Sequence, residues 1–400
     1  MHVAWLGKKS PFCGNVTYGR EITHALLERG HQVTFVHFDN HEPKLATDSA
    51  PSSWARGPTL HQACQEIALP FLFKSQMLTI PALGAGKRLV ATLKQLRPDV
   101  VHASLTLSPL DFRLPEICAE LQVPLVATFH PAFDRKLRTL SSGAQHMTYQ
   151  MYASTLARCK RVIVFSKLQR DILSRLGVPA ATLEVIPNGV DVTKYSPGPS
   201  AFKSTLQARQ LFVYQGRISP EKNVEALLRA WRQADMGPDY QLAIVGNGPL
   251  ETSLRMFYGG DESIHWLGFV RDEARRIDIL RGADVFVLPS MVEGLSLSLL
   301  EAMACGTACI ATDAGADGEV LESGAGIVVD TQQVKHQLQT ILPIFREQPE
   351  MMRLLGQKAR QRVLERYTLT TNVTQVEGIY HQLVMPNYAP NASNSSYIVL

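Results

Sequence analysis

Short runs of β-branched and aliphatic residues alternate along this chain with longer stretches whose apolar positions recur every three or four residues. The first pattern predicts strands buried on both faces and the second predicts amphipathic helices; in alternation they predict parallel sheets crossed by helices. In the first half the expected strands are Val3–Leu6, Val33–Phe38, Val100–Ala103, Leu125–Phe129, Arg161–Phe165 and Leu183–Ile186. In the second half they are Leu211–Gln215, Gln241–Val245, Ile264–Leu267, Val285–Leu288, Ala308–Ala311 and Gly326–Val329. Tyr18–Arg29, closed by Gly30, reads as the first crossover helix, because glycine readily takes the left-handed turn that ends one. Tyr195-Ser196-Pro197-Gly198-Pro199-Ser200 is a linker by composition. Two doubly wound, Rossmann-like α/β domains facing a central cleft are therefore expected, over residues 1–195 and 196–369. A last helix, 370–384, is placed to cross back onto the first domain, and the Asn/Ser/Pro-rich tail 385–400 reads as disordered. In open sheets of this kind ligands bind beyond the C-terminal ends of the strands.

Size and composition agree with this division. Four hundred residues exceed what one core usually organises, and 45% hydrophobic residues with a mean hydropathy of −0.03 describe an ordinary globular chain. No apolar run reaches the ~18 residues of a membrane-spanning helix, and the opening Met1-His2-Val3-Ala4-Trp5-Leu6 has no basic leader segment. The six cysteines form no CxxC pair, which argues against a zinc site or disulfide framework and suits a reducing cytoplasm. Charge is uneven: residues 1–195 carry 22 Lys+Arg against 14 Asp+Glu, while the whole chain carries 40 against 36. No acid lies between Ile67 and Pro98, where there are five bases, nor between Arg135 and Arg170, where there are eight. Basic stretches mixed with apolar residues, as in Ile67–Lys74, suit a peripheral surface that meets anionic lipid headgroups on the cytoplasmic side of a membrane. The plainer alternative is a pair of solvated helices. Nucleic acid is not expected, since no binding module accompanies the charge.

The chemistry centres on Glu293 and Glu301. On one continuous helix their side chains would stand about 80° apart and about 12 Å along the axis, sharing no face. With Glu293 in a strand-to-helix loop after Val285–Leu288 and Glu301 two turns into the helix, both address one elongated ligand across the helix N-terminus, where free N–H groups favour a phosphate. Arg217 and Lys222, in Gly216-Arg217-Ile218-Ser219-Pro220-Glu221-Lys222-Asn223, follow the first strand of the second half. A helix start at Pro220 would set both cations beside the crevice, fit to bind a diphosphate and stabilise the charge it develops on leaving. His130 ends the strand Leu125–Phe129 and faces the same crevice; such a histidine is often only a structural hydrogen-bonder. No Asp-x-Asp pair for a divalent ion occurs in the chain, so no metal and no cofactor are expected. A dinucleotide-binding oxidoreductase is disfavoured because Gly246-Asn247-Gly248-Pro249-Leu250-Glu251 lacks the third small residue and Gly7 is followed by two lysines. A catalytically dead nucleotide-sugar-binding regulator is disfavoured by the intact charged set.

With Gly30-His31-Gln32-Val33, Pro187-Asn188-Gly189-Val190-Asp191, Leu267-Gly268-Phe269 and Glu301-Ala302-Met303 added, the chain resembles the retaining glycosyltransferases of family four, which have the GT-B fold and move a sugar from a nucleotide diphosphate to an acceptor. That resemblance implies roles by position. Arg217 and Lys222 would hold the donor diphosphate, Glu301 the ribose hydroxyls, Glu293 the sugar hydroxyls near the reacting carbon, and His130 the donor sugar. Gly14 would let its loop's backbone approach the phosphate. Gly248 and Phe269 would border the nucleoside, and Gly294, Leu295, Ser296 and Leu297 would complete the donor site. Three departures stand out: Cys13 in place of a first glycine, Asn223 in place of glycine after Lys222, and Ser296 in the loop after Glu293. The opening Trp5–Tyr18 is similar to that of cyanobacterial digalactosyldiacylglycerol synthases, which implies a UDP-galactose or other UDP-hexose donor and a membrane glycolipid acceptor. The alternative is a soluble or cell-envelope polysaccharide acceptor.

Overall fold

The computed structural model describes residues 1–10, 13–39, 63–75, 78–132 and 140–385; the 386–400 part of the expected tail lies outside them. The first domain is built on a seven-stranded parallel sheet of order β3-β2-β1-β6-β7-β8-β9. Its strands are β1 (His2–Leu6), β2 (Gln32–Phe38), β3 (Gln65–Leu69), β6 (Val100–Ser104), β7 (Leu125–Thr128), β8 (Arg161–Val164) and β9 (Leu183–Val185), and a separate antiparallel hairpin joins β4 (Phe71–Lys74) to β5 (Thr79–Pro81). The second domain is built on a six-stranded parallel sheet of order β12-β11-β10-β13-β14-β15. These are β10 (Gln210–Gln215), β11 (Tyr240–Val245), β12 (Ile264–Gly268), β13 (Val285–Leu288), β14 (Ala308–Thr312) and β15 (Ile327–Val329).

Each expected strand has a counterpart here, and β3, β4 and β5 were not expected. The run Ile67–Lys74 forms the end of β3 and all of β4. Ala68 and Leu69 are buried in the edge strand β3, and Lys74 turns inward, its Nζ donating to the Phe38 carbonyl at 2.7 Å and to Ser10 Oγ at 3.0 Å. Burial pushes that ammonium down to about 8.

Strand order explains where the site lies. The chain steps from β1 to β2 on one side and later returns to β6 on the other, so the loops after β1 and β6 diverge over a crevice; β10 and β13 do the same in the second sheet. Both crevices open at the C-terminal strand ends. The final helix, Leu369–Val384, packs on the first helix, Gly14–Glu28. Glu377 accepts from Arg29 and pairs with His31, while the Tyr380 hydroxyl meets His102 Nδ1 in the interior. Where the chain enters that helix it lies against its earlier crossing between domains. Val190 N–H donates to the Tyr367 carbonyl and Leu369 N–H to the Val190 carbonyl, both at 2.9 Å. A Cβ on Gly189 would stand 2.7 Å from the Leu369 backbone, so only glycine fits there.

Candidate functional site

One cleft of about 1480 Å³ lies between the two domains and takes its walls from the loops after β1, β7, β10, β11, β12 and β13. Every residue expected at the site lines it: Gly14, His130, Arg217, Lys222, Gly248, Phe269, Glu293, Gly294, Leu295, Ser296, Leu297 and Glu301.

The second-domain wall is organised by the helix Leu297–Ala304. Ser296 is its N-cap, in extended conformation, with Oγ accepting from Leu299 N–H at 3.4 Å. The serine that departs from the family pattern thus supplies a cap. Because the cap falls at Ser296, Glu301 sits about one turn into the helix rather than two. Its carboxylate accepts from Gln215 Nε2 at 2.9 Å, with Tyr195 and Arg276 close by. Desolvation on the cleft floor outweighs these partners and raises Glu301 to about 7.

Glu293 is 7% exposed in the loop before that helix. Its Oε1 accepts from Ser290 Oγ at 2.8 Å and from Lys222 Nζ. The lysine expected on a diphosphate and the glutamate expected on a sugar are therefore paired with each other in the empty cleft. Behind them lies Asp317, fully buried, whose Oδ1 accepts from Ser296 N–H at 2.9 Å while Oδ2 has no partner. Burial first, and then the nearby Glu293 charge, push Asp317 well above the usual carboxylate range. A proton on Asp317 beside the Lys222–Glu293 pair avoids a second buried, uncompensated carboxylate.

The loop holding Lys222 differs from expectation. Pro220–Lys222 form a single 3₁₀ turn and the α-helix begins only at Val224, because Asn223 takes the left-handed conformation at φ +50°. After glycine, asparagine is among the residues that reach this region most readily, so Asn223 serves where the family pattern has glycine. Arg217 stands 41% exposed at the cleft edge, 3.9 Å from Glu221. Gly248 packs against the backbone of Ile218, where a Cβ would come within 2.3 Å of the carbonyl oxygen. Glycine there keeps the two cleft loops in contact.

Across the cleft, Gly14 is the first residue of its helix, and a Cβ there would meet nothing within 4 Å. Its helix has no acid in its first turn, so its N-terminal amides offer an uncontested anion site. His130 is held between the edges of Tyr18 and Phe165, with ring centroids 5.0 and 5.1 Å away. Its Nε2 lies 2.8 Å from Ser104 Oγ, and Ser104 donates its only proton to Asn15 Oδ1, also at 2.8 Å. Asn15 Nδ2 donates to the Leu105 carbonyl, which fixes the amide's orientation. His130 therefore donates from Nε2 and keeps Nδ1 as an acceptor. Burial, with a smaller push from the Lys8 ammonium, holds the imidazole down at about 3, so it is neutral at all ordinary pH.

Sequence reasoning missed the residues that set these states. Asn15, Ser104, Tyr195, Gln215, Arg276, Ser290 and Asp317 belong to no motif; each reaches the site through hydrogen bonds or charge that only the fold creates. Arg276 lies in a helix, Glu273–Gly282, to which sequence reasoning assigns no role. Among the described residues no group of three His, Cys, Asp or Glu side chains is placed to hold a metal ion, and no helix is long and apolar enough to cross a membrane.

Comparison with known proteins agrees with this fold. Residues 14–194 match the family described as Glycosyltransferase Family 4, and residues 200–362 match Glycosyl transferases group 1. The UDP-Gal:alpha-D-GlcNAc-diphosphoundecaprenol alpha-1,3-galactosyltransferase of Escherichia coli is 25% identical over 310 residues, 73% of this chain and 78% of that protein. Sucrose-phosphate synthase from Thermosynechococcus elongatus superposes with a TM-score of 0.75 at 21% identity, covering 96% of this chain and 98% of the other. Anabaena Alr3699/HepE, solved in complex with UDP-glucose, superposes at 0.73 with 17% identity, covering 95% and 99%. Both solved structures share this two-domain fold.

Proposed function

Because the chain belongs to the GT-B glycosyltransferases of family four, we propose that it moves a hexose, with galactose first in line, from a UDP-sugar to a membrane glycolipid with retention of configuration, and that it uses no metal. The observation that carries this reading is the convergence in one cleft of two cations, two helix N-termini, a neutral histidine and two differently poised glutamates. Arg217, Lys222 and the N-termini of the helices at Gly14 and Leu297 surround a space suited to a diphosphate, and together they would neutralise its charge as it departs. Glu301 is positioned for a diol such as a ribose offers. Glu293, 7% exposed and already bonded to Lys222, suits the sugar end. Gly248 and Phe269 would border the base.

These positions suit the following reaction. The bond from the anomeric carbon to the diphosphate oxygen breaks, and the acceptor oxygen bonds to that carbon on the same face. The acceptor's proton passes to the departing phosphate oxygen, and UDP leaves. No side chain need become a nucleophile. Neutral His130 accepts from a sugar hydroxyl through Nδ1 without adding positive charge beside the developing oxocarbenium ion. Lys222 shifts its hydrogen bond from Glu293 to the phosphate as the donor enters, which frees Glu293 to accept from the sugar. A lipid-borne acceptor is supported by the Escherichia coli relative, whose own name couples UDP-galactose to a diphosphoundecaprenol-linked sugar, and by the similarity of Trp5–Tyr18 to the digalactosyldiacylglycerol synthases.

The test is direct. Purified protein incubated with UDP-galactose and monogalactosyldiacylglycerol should yield a digalactosyl lipid with an α linkage. No lipid product with any UDP-hexose, alongside turnover of a soluble saccharide, would overturn the acceptor.

A further inference from the structure

The cleft continues past the residues assigned to the donor. At its first-domain end the wall is made by Ser10, Asp39, Phe71, Lys74 and Ser75. Two of these, Phe71 and Lys74, belong to the β4–β5 hairpin, so one side of that hairpin is part of the cleft. Its other side is apolar and bare: Leu72 is 71% exposed, Phe73 51% and Ile80 38%, and Leu83 just after it is 99% exposed. The pairing slips between Phe71 and Phe73, which turns the consecutive residues Leu72 and Phe73 outward together instead of to opposite faces. Single exposed apolar residues are commonplace; four large ones on one small projection at a cleft mouth are not. The hairpin is also firmly seated. Thr79 N–H donates to the Leu107 carbonyl at 3.1 Å, Ala82 N–H to Pro70 at 3.0 Å, and Lys74 reaches the Phe38 carbonyl from beneath.

Charge says what covers this projection. The helix Ala85–Leu96 follows Leu83 directly, buries Ala85, Leu89 and Leu93, and presents Lys87, Arg88 and Lys94 to solvent, with Arg97 just beyond. Among the described residues none of these four bases is in an ion pair, and no acid lies between residues 67 and 98. A protein-binding patch is normally poor in charge at its centre, whereas an apolar tip flanked by unpaired cations fits the boundary between acyl chains and anionic headgroups.

We propose that the β4–β5 hairpin and Leu83 embed in an anionic lipid bilayer, with the exposed bases of the Ala85–Leu96 helix on its headgroups, so that the mouth of the cleft opens onto the membrane surface. This rests on the reading of the acceptor as a lipid. The inner face of the same hairpin then receives the acceptor's headgroup, which reaches the reacting carbon while its acyl chains stay in the bilayer.

Vesicle flotation tests it, using the full chain with vesicles of phosphatidylcholine alone or with 30% phosphatidylglycerol. The wild type should float with the anionic vesicles and remain behind with the neutral ones. Each base held near an anionic surface contributes about fivefold in affinity, so Lys87→Glu with Arg88→Glu should weaken binding at least about twenty-five-fold. Leu72→Ser with Leu83→Ser should weaken it by about tenfold per leucine. Thermal stabilisation by UDP, unchanged in all variants, shows that they are folded. A wild type that stays behind with anionic vesicles overturns the proposal, as does undiminished flotation of either double variant. Flotation by these residues without transfer to any lipid leaves the docking surface standing and overturns the acceptor assignment; transfer to a detergent-dispersed glycolipid without flotation does the reverse.

Discussion

The state of Glu301 yields the sharpest prediction. A carboxyl raised from 4.5 to about 7 is half protonated near neutral pH in the empty cleft. Over that interval, at about 1.4 kcal/mol per tenfold in proton affinity, ionising Glu301 costs about 3 kcal/mol more than ionising a solvated glutamate. The carboxylate, not the acid, accepts from both ribose hydroxyls, so a nucleotide sugar binds the ionised form and pulls the proton off. At pH 6 only about a tenth of the empty protein is in that form, and at pH 8 nearly all of it, so affinity should rise about tenfold between the two. UDP-glucose or UDP-galactose is the proper probe, because its diphosphate is a diester with no ionisation in this range. Calorimetric titration at pH 6, 7 and 8 should give a falling Kd and proton release that shrinks as pH rises. In Glu301→Gln the dependence should vanish, with affinity near or below that of the wild type at pH 6. A flat wild-type profile, or a slope that survives in the glutamine variant, would refute the reasoning. The same shift has a stability consequence of opposite sign: the folded, empty chain holds this proton more tightly than the unfolded chain, so its stability falls as pH rises from about 4.5 to about 7.

Further expectations concern the paired groups. Glu293→Gln should cut hexose transfer by at least about a hundredfold, as expected for a group acting on the reacting sugar, while UDP affinity changes by less than threefold in titration. Lys222→Ala leaves Glu293 without its cation, held only by Ser290 beside Asp317, and should lower stability by about 1–3 kcal/mol in denaturant melts; in a Glu293→Gln background most of that loss should disappear, as a double-mutant cycle would show. Asn223→Gly should fold and turn over like the wild type, whereas Asn223→Val, forced to φ +50°, should lose about 1–3 kcal/mol and weaken donor binding through Lys222. Tyr380→Phe removes a buried hydroxyl from His102 and should cost about 1 kcal/mol with no effect on donor affinity.

Periodicity was enough for the two large sheets because their strands are hydrophobic on both faces, a signal that helices crossing them reinforce. Three strands escaped it for a physical reason. The apolar run Ile67–Phe73 is broken by Pro70 into the end of β3 and the start of β4, and β5 has only three residues, so none shows the uninterrupted run of a central strand. The charged members of the site were readable because Arg217, Lys222, Glu293 and Glu301 sit at fixed offsets from strand ends, where parallel topology brings loops together. Their protonation states were not. Nothing in the spacing of Glu293 and Glu301 says that one is satisfied by Ser290 and Lys222 while the other is desolvated; that desolvation comes from burial on the cleft floor, which Gln215, Tyr195 and Arg276 only partly offset. Nor could composition say which bases near residue 74 face outward. Lys74 has a carbonyl to meet, and the bases of the following helix have none.

The double crossing at Val190 and Thr368 has a mechanical meaning. The polypeptide passes between the domains twice, and the backbones of the two passes are bonded to each other at one point, beside Gly189. Two tethers fastened together permit turning about their common line but little sliding or separation. Close to that crossing the domains also meet through charge, where Arg20 of the first domain reaches Glu273 of the second at 3.4 Å and Glu21 lies 3.8 Å from Lys194. With the tethers and these ion pairs gathered on one side, the gap between Gly14 and the Leu297 helix becomes a quantity the protein can set with a single angle.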